Sequence, residues 1–275
     1  MKKYLFVTFF LILINNFAQN RIEYFPDTLA LSPFSANLLE PKMGFLFDIG
    51  KNELRLDVGN SLDIFHKEIS STAMLSAGVD FFTYSFLQRR NDFKFPVVAI
   101  DYLFGINSVY IVKQNNYRYG IRARLSHISA HFVDGHYNII EHEWRDSLEP
   151  FVYSKEFFEF TPFYAENNFR IYATLTLIYH IKPADLGKDA YQIGGEYFIP
   201  KIFAEKIGLF VSSDLKITHL DDYNISYNSQ LGLKFGEFDS RGTSVYLQFY
   251  SGKNIHGELF NKNENKTSIG INFDL

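Results

Sequence analysis

The chain has 275 residues, with 27 Lys and Arg against 31 Asp and Glu for a formal net charge of −4, and it has no cysteine. The acidic balance argues against a nucleic-acid partner, because phosphate recognition draws on basic patches. The lack of cysteine excludes a disulfide framework and thiol chemistry.

Lys2 and Lys3 precede an apolar run from Tyr4 to Ile14, and Asn16-Phe17-Ala18 follows as a cleavage-like site. The run is too short for a membrane-spanning helix, so the pattern predicts a secretory signal peptide over 1–18. Residue 19 is Gln rather than Cys, so no lipoprotein anchor is expected. Residues 19–41 carry Pro26, Pro33 and Pro41 with weak periodicity and read as a periplasmic N-terminal segment, either a lead-in or a plug. No later stretch approaches the roughly 20 apolar residues of a spanning helix, which leaves a closed barrel as the way to cross a membrane.

From Lys42 onward, strand-like segments recur between turn signals. They fall over 42–49, 53–65, 71–86, 95–111, 118–133, 137–163, 168–181, 189–200, 206–217, 225–236, 242–251 and 267–275. Leu54, Leu56, Val58, Leu62 and Ile64 alternate with Arg55, Asp57, Ser61 and Asp63. Ile171, Ala173, Leu175, Leu177 and Tyr179 oppose Arg170, Thr174, Thr176 and His180. In the last nine residues, Thr267, Ile269, Ile271, Phe273 and Leu275 oppose Ser268, Gly270, Asn272 and Asp274. An apolar face for lipid and a polar face for the lumen is the pattern of a membrane barrel. The predicted fold is therefore all-β, a transmembrane antiparallel β-barrel of about twelve strands over 42–275, located in the cell outer membrane. Both termini are expected on the periplasmic side. This puts the connections at 112–117, 164–167, 201–205 and 237–241 there, and those at 134–136, 182–188, 218–224 and 252–266 outside. Charges of both signs on the lumen face (Arg55, Asp57, Arg122, Arg124, Glu196, Asp214, Lys216, Lys234) predict a filled interior and disfavour a large-solute porin.

Three segments and the terminal strand resemble a family of Gram-negative outer-membrane proteins known only as a domain of unknown function. They are Phe25-Pro26, Tyr119–His131 with its R-x-R-L-x-H-x-S-x-H pattern, and Tyr250–Asn261. Members tend to continue with Gly-Asp-Glu where this chain has Val133-Asp134-Gly135. The resemblance implies an outer-membrane barrel and no particular activity.

One constellation has chemical potential. His127, Ser129 and His131 share the strand face of Ile121, Ala123 and Leu125, while Arg122, Arg124 and Ser126 take the lumen face. Polar groups facing lipid are costly unless they sit near the interface or have a task. Asp134-Gly135 is a turn signal, and a hairpin centred on Gly135 sets Ser129 opposite Glu141. The arrangement is similar to the H-x-S sites of outer-membrane phospholipases and lipid A deacylases, with a third polar residue twelve positions after the Ser. The resemblance implies catalytic roles: Ser129 attacks an acyl ester, His127 takes its proton, and Glu141 orients the imidazole. Those enzymes follow the Ser with Asn and a small residue, where this chain has Ala130-His131, and no oxyanion donor is evident.

Two other readings stand beside it. His127 and Ser129 can serve as interfacial residues bonding the outer loop, in a barrel with a structural, binding or limited-permeability role. His127, His131, His136 and His142 also cluster, with Asp134, Glu141 and Glu143 nearby, but without zinc-type spacing, so no metal or cofactor is expected. The expected partners are outer-membrane lipids, periplasmic chaperones and the barrel-insertion machinery.

Overall fold

Period-2 alternation over strands of ten or more residues makes a wall with one wet and one greasy face, and such a wall is stable in lipid only when it has no free edge. The computed structural model describes residues 21–89 and 94–274 and shows that closure. The leader expected over 1–18 lies outside the described residues.

In chain order the strands are β1 (Ile22–Tyr24), β2 (Met43–Asp48), β3 (Glu53–Glu68), β4 (Ala73–Gln88), β5 (Val97–Lys113) and β6 (Tyr117–Phe132). A small hairpin, β7 (Tyr137–Asn138) and β8 (Glu143–Trp144), stands apart from the wall. The wall continues with β9 (Tyr153–Glu166), β10 (Phe169–Lys182), β11 (Asp189–Ala204), β12 (Ile207–His219), β13 (Tyr223–Phe235), β14 (Gly242–Lys253) and β15 (Asn263–Asp274). Each wall strand pairs antiparallel with the next, β6 with β9 across the loop, and β15 closes on β2 through Ser268–Phe273 against Asp48–Met43. The result is a closed barrel of twelve antiparallel strands, β2–β6 and β9–β15.

Alternation decides the faces. Leu56, Val58 and Leu62 of β3, Ile171 and Leu177 of β10, and Ile269 and Phe273 of β15 stand exposed on the outside. Asp57 and Asp63, Arg170 and Thr176, and Ser268 are buried inside. Connections at 69–72, 114–116, 167–168, 205–206 and 236–241 lie at the end carrying Asp274, here the terminal end. Those at 89–96, 133–152, 183–188 and 254–262 lie at the opposite, loop end. The longest connections, 133–152 and 254–262, share the loop end, as the long loops of outer-membrane barrels share the exterior.

The expected strand over 137–163 begins only at Tyr153. Asp134–His136 forms a single 3-10 turn instead of a tight hairpin. Gly135 is needed there for close approach, since a Cβ would collide with the Val97 carbonyl oxygen. His142, Asp146 and Ser147 adopt positive φ, which strands do not allow, and Ile139 and Ile140 point away from any wall at 74% and 90% exposure. A second loop, 254–262, folds over the mouth. His256 Nδ1 lies 2.6 Å from Asp101 Oδ2, and the Gly257 N–H donates to Asp101 Oδ1 at 2.8 Å.

The chain's own segment 26–42 enters the lumen and occupies part of it. Phe34, fully buried, stacks on Tyr172 (3.8 Å between centroids) and lies beneath the Arg170 guanidinium (4.6 Å). Arg170 donates to the Ser32 and Pro33 carbonyls, both at 2.9 Å, and to Glu196. Ala30 N–H donates to Asp63 (2.7 Å), Arg55 to the Leu38 carbonyl (2.9 Å) and Asn228 to the Ala36 carbonyl (2.6 Å). Glu40, fully buried, accepts from Arg122 Nη1 (2.9 Å) and Arg124 Nη2 (3.1 Å). Arg124 also meets Glu159 (3.3 Å), and its Nε lies 3.0 Å from Asp80 at an angle too poor for a hydrogen bond.

Removing Glu40 would leave the buried Arg122 guanidinium without its carboxylate and take one of three from Arg124, and losing one partner of a buried pair costs about 3–5 kcal/mol. Glu40→Ala is expected to lower the temperature at which the folded, fast-migrating form on gels converts to the unfolded form, with Glu40→Gln recovering part of the loss. An unchanged midpoint would show that the plug contributes nothing to barrel stability.

Candidate functional site on the lipid-facing wall

On β6, Arg122, Arg124 and Ser126 are buried in the lumen, while Leu125, His127 and Ser129 face out. Across the ladder His127 pairs with Phe104 of β5 and Glu156 of β9, and Ser129 with Tyr102 and Ser154. Glu141 is not opposite Ser129. It sits in the exposed 133–152 loop, where its carboxylate accepts from Asn138 Nδ2. The twenty-residue loop moves the symmetry point of the β6–β9 pairing away from Gly135, so the carboxylate brought beside His127 belongs to Glu156.

Glu156 Oε1 lies 2.7 Å from His127 Nδ1, and its other oxygen bonds His180 Nδ1. Ser154 Oγ donates to Glu156 Oε1 at 3.3 Å. A carboxylate accepts only, so the Nδ1 atoms donate, and in the neutral form of the His127 ring the lone pair lies on Nε2. His180 was expected on the lumen face with Thr176. The β9–β10 register shifts between Ile178 and His180, and this bulge leaves Tyr179 and His180 both exposed on the outside. The Ser129 hydroxyl makes no hydrogen bond among the described residues, and its backbone is paired on both sides. His131 points outward beside Tyr102, 6.1 Å between rings, away from Glu156.

The cluster borders the loop end of the apolar belt. Phe104, Phe158 and Leu177 lie exposed around or below it, with Phe158 packed on Tyr179 (5.4 Å). Side chains of His127 and Glu156 are 41% and 23% exposed, so the carboxylate is the more sheltered member. Sequence reasoning missed Glu156 and His180. Glu156 carries a local signal as the one acidic residue on the outward stripe Glu156–Phe158–Phe160, but its partner is set by loop length.

No family model matches the chain, and no curated protein does. Solved structures do. Outer membrane phospholipase A from Escherichia coli is 12% identical over 90% of this chain and 99% of that one, with a TM-score of 0.53. The outer membrane phospholipase dimer of Salmonella typhi with bound calcium is 12% identical over 90% of this chain and 94% of that one, with a TM-score of 0.52. At such identity the likeness is one of fold. The chain has the closed twelve-stranded β-barrel fold of these outer-membrane proteins.

Two outcomes follow from this geometry. With no native cysteine in the chain, the double variant Ser129→Cys/Ser154→Cys is expected to cross-link on oxidation, because directly opposed residues come within disulfide reach. Ser129→Cys/Glu141→Cys is expected not to, as read on non-reducing gels. Second, burial holds the His136 imidazole below the ordinary histidine value. Its Nε2 donates to the Leu148 carbonyl at 2.9 Å, Nδ1 is buried without a partner among the described residues, and the ring stacks on Phe132 at 3.8 Å. The unfolded loop takes up the proton more readily than the folded one. The stabilisation is therefore present above about pH 6.5 and lost as pH falls toward the depressed folded value. Amide exchange over 133–152, corrected for intrinsic rates, is expected to accelerate between pH 7 and pH 5. His136→Phe, which keeps the stack and cannot charge, removes the change.

Proposed function

We propose that this barrel is an acyl-ester hydrolase of the outer membrane, acting on phospholipid or lipopolysaccharide acyl groups that reach Ser129 from the lipid phase. The observation that carries the reading is Glu156 opposite His127 on the outer wall, with its carboxylate on Nδ1 and Nε2 left free. In this role Glu156 holds the imidazole in the tautomer that can accept a proton and stabilises the imidazolium once it forms. Ser129, two residues along the same face, attacks the ester carbonyl. His127 takes the serine proton and returns it to the leaving alcohol, and water then releases the acyl group by the same relay. The reading requires the His127 and Ser129 side chains to rotate so that Oγ reaches Nε2. Catalytic hydrogen bonds are often long or absent without substrate. A polar group at the edge of the apolar belt suits a substrate whose ester linkages lie at the same depth as its head group. The similarity in fold to outer membrane phospholipases supports this substrate class.

The second reading is a non-enzymatic barrel with a structural, binding or limited-permeability role, in which the cluster is an interfacial clamp. It is favoured by the occupation of both Glu156 oxygens by histidines and by the ladder pairing on both sides of Ser129, which frees no backbone N–H for an oxyanion.

Purified barrel in mixed micelles with phospholipid, or with lipopolysaccharide, decides between them. The expected result is release of fatty acid and lysolipid, with Ser129→Ala and His127→Ala each lowering kcat at least ~100-fold and Glu156→Gln also strongly reducing it. Glu141→Gln is expected to leave the rate unchanged. Acyl release that survives Ser129→Ala, or none from the wild type, leaves the non-enzymatic reading.

A further inference from the structure

β1 and β2 together make one strand position of the barrel wall with its middle missing. Ile22, Glu23 and Tyr24 pair with Lys67, His66 and Phe65 of β3, and the Phe25 N–H donates to the Ile64 carbonyl at 2.9 Å. Gly44–Phe47 pair with Asp57–Leu54 further along the same edge. Between these two ladders the chain leaves the wall and dips into the lumen as the plug. Among the described residues, no backbone partner reaches β3 between Val58 and Asp63 on that side. The plug meets Asp63 there through its carboxylate, which accepts from the Ala30 N–H as well as from His66 of β3 itself.

An unpaired strand edge is not tolerated against hydrocarbon. Non-helical or unpaired backbone survives at membrane depth only where it borders a polar cavity. Such a cavity stands behind this edge. It has a volume of about 1130 Å³ and is bordered by the whole run Gly59–Asp63, by Asn272–Asp274 of β15, and by Phe25 and Met43, the residues that flank the interruption. Leu62 and Phe273 face outward and yet border the cavity, so it reaches the lipid-facing surface through the gap. Tyr24 and Phe25 stand exposed at its rim, as aromatics do where a barrel meets the membrane interface.

The interior of the cavity is two-sided. Phe198, Phe210 and Tyr246 form a buried aromatic cluster with Phe238 packed against it, and all four border the space. At the terminal end stands Arg241, whose guanidinium meets the Asp27 carbonyl (3.2 Å) and, among the described residues, no carboxylate. Other arginines bordering or plugging the lumen are paired, Arg170 with Glu196 and Arg122 with Glu40. Lys42, deeper in the cavity, likewise meets, among the described residues, only the Ser35 and Asn37 carbonyls. An aromatic wall with a guanidinium at its mouth and a second cation behind it matches a molecule with an acyl chain and an anionic head.

The geometry points to a lateral portal between β3 and β15, through which an anionic single-chain amphiphile enters this cavity from the membrane, its acyl chain against the aromatic cluster and its head at Arg241. Fatty acids and anionic lysophospholipids share that chemistry. The site is separate from the His127–Glu156 cluster, which lies on β6 and β9 near the loop end, and does not depend on it.

The test uses full-length barrel in detergent with cis-parinaric acid, a fluorescent fatty acid, as the probe. Saturable binding is expected, displaced by oleate, by oleoyl lysophosphatidylglycerol, or by both, which identifies the source of the acyl chain. Ser61→Trp, which places an indole in the gap, is expected to weaken binding at least ten-fold while Ser129→Ala does not. Since Ser61 donates to Asp80 and its replacement could impair folding, Phe238→Ala is the second variant, with heat-dependent gel migration as the folding check. It is expected to weaken the probe several-fold by removing one aromatic wall. Arg241→Gln should weaken oleate and leave monoolein unchanged. No saturable binding by the wild type, failure of both competitors, or equal affinity in the wild type and every folded variant would overturn the portal.

Discussion

Peptide groups inside a membrane have no water to bond, so a wall of strands must bond to itself all the way round. The rest of this molecule depends on that requirement. Closure of β15 on β2 removes the free edges, but twelve strands enclose a space that side chains from the wall alone do not fill. The inward stripes carry charge, because outward stripes must be apolar and alternation leaves the polar residues only one face. Buried charges in turn demand partners. The plug segment supplies them, with Glu40 between Arg122 and Arg124, and with the Ser32 and Pro33 carbonyls on Arg170.

Filling the lumen has a structural consequence for the wall. The plug is drawn from the middle of the first strand position, so β2 is short and β1 is a remnant. The same segment that neutralises the interior opens the edge of β3. Closure and filling thus compete for the same residues, and the compromise is a gap at one seam backed by a cavity. The inner ends of the barrel differ accordingly. The terminal end is hollow, whereas the loop end is covered by the 254–262 loop fastened at Asp101 and by the structured 133–152 loop.

The outer surface shows the converse situation, a polar cluster where apolar residues would be expected. His127, Glu156 and His180 come from three consecutive strands of the wall, and Ser154 leans on the same carboxylate. Such a cluster satisfies its own hydrogen bonds, so it can sit at the margin of the apolar belt without a large desolvation cost. That self-sufficiency also orients an imidazole with one nitrogen free, the arrangement on which acyl-transfer chemistry depends.

Much of this was legible in the sequence. Strand existence, strand number and the identity of each face follow from a period of two, which is local and repeats along every segment. The outward position of His127 and Ser129 and the inward position of Arg122 and Arg124 are readable in the same way. What lay beyond the sequence were pairings that depend on how much chain intervenes. Asp134-Gly135 carries the composition of a tight turn, but a twenty-residue loop moves the register of β9, and Glu156 rather than Glu141 arrives beside His127. A bulge near Ile178 turns His180 outward against its own alternation. Residues 26–42 have no periodicity, so their place in the lumen is decided only by inward-facing side chains far away in sequence. The sequence by itself determined the barrel, its faces and its membrane, because these rest on local alternation. Register, plug and cluster were decided by the tertiary structure, because each rests on contacts between distant segments whose separation no local pattern records.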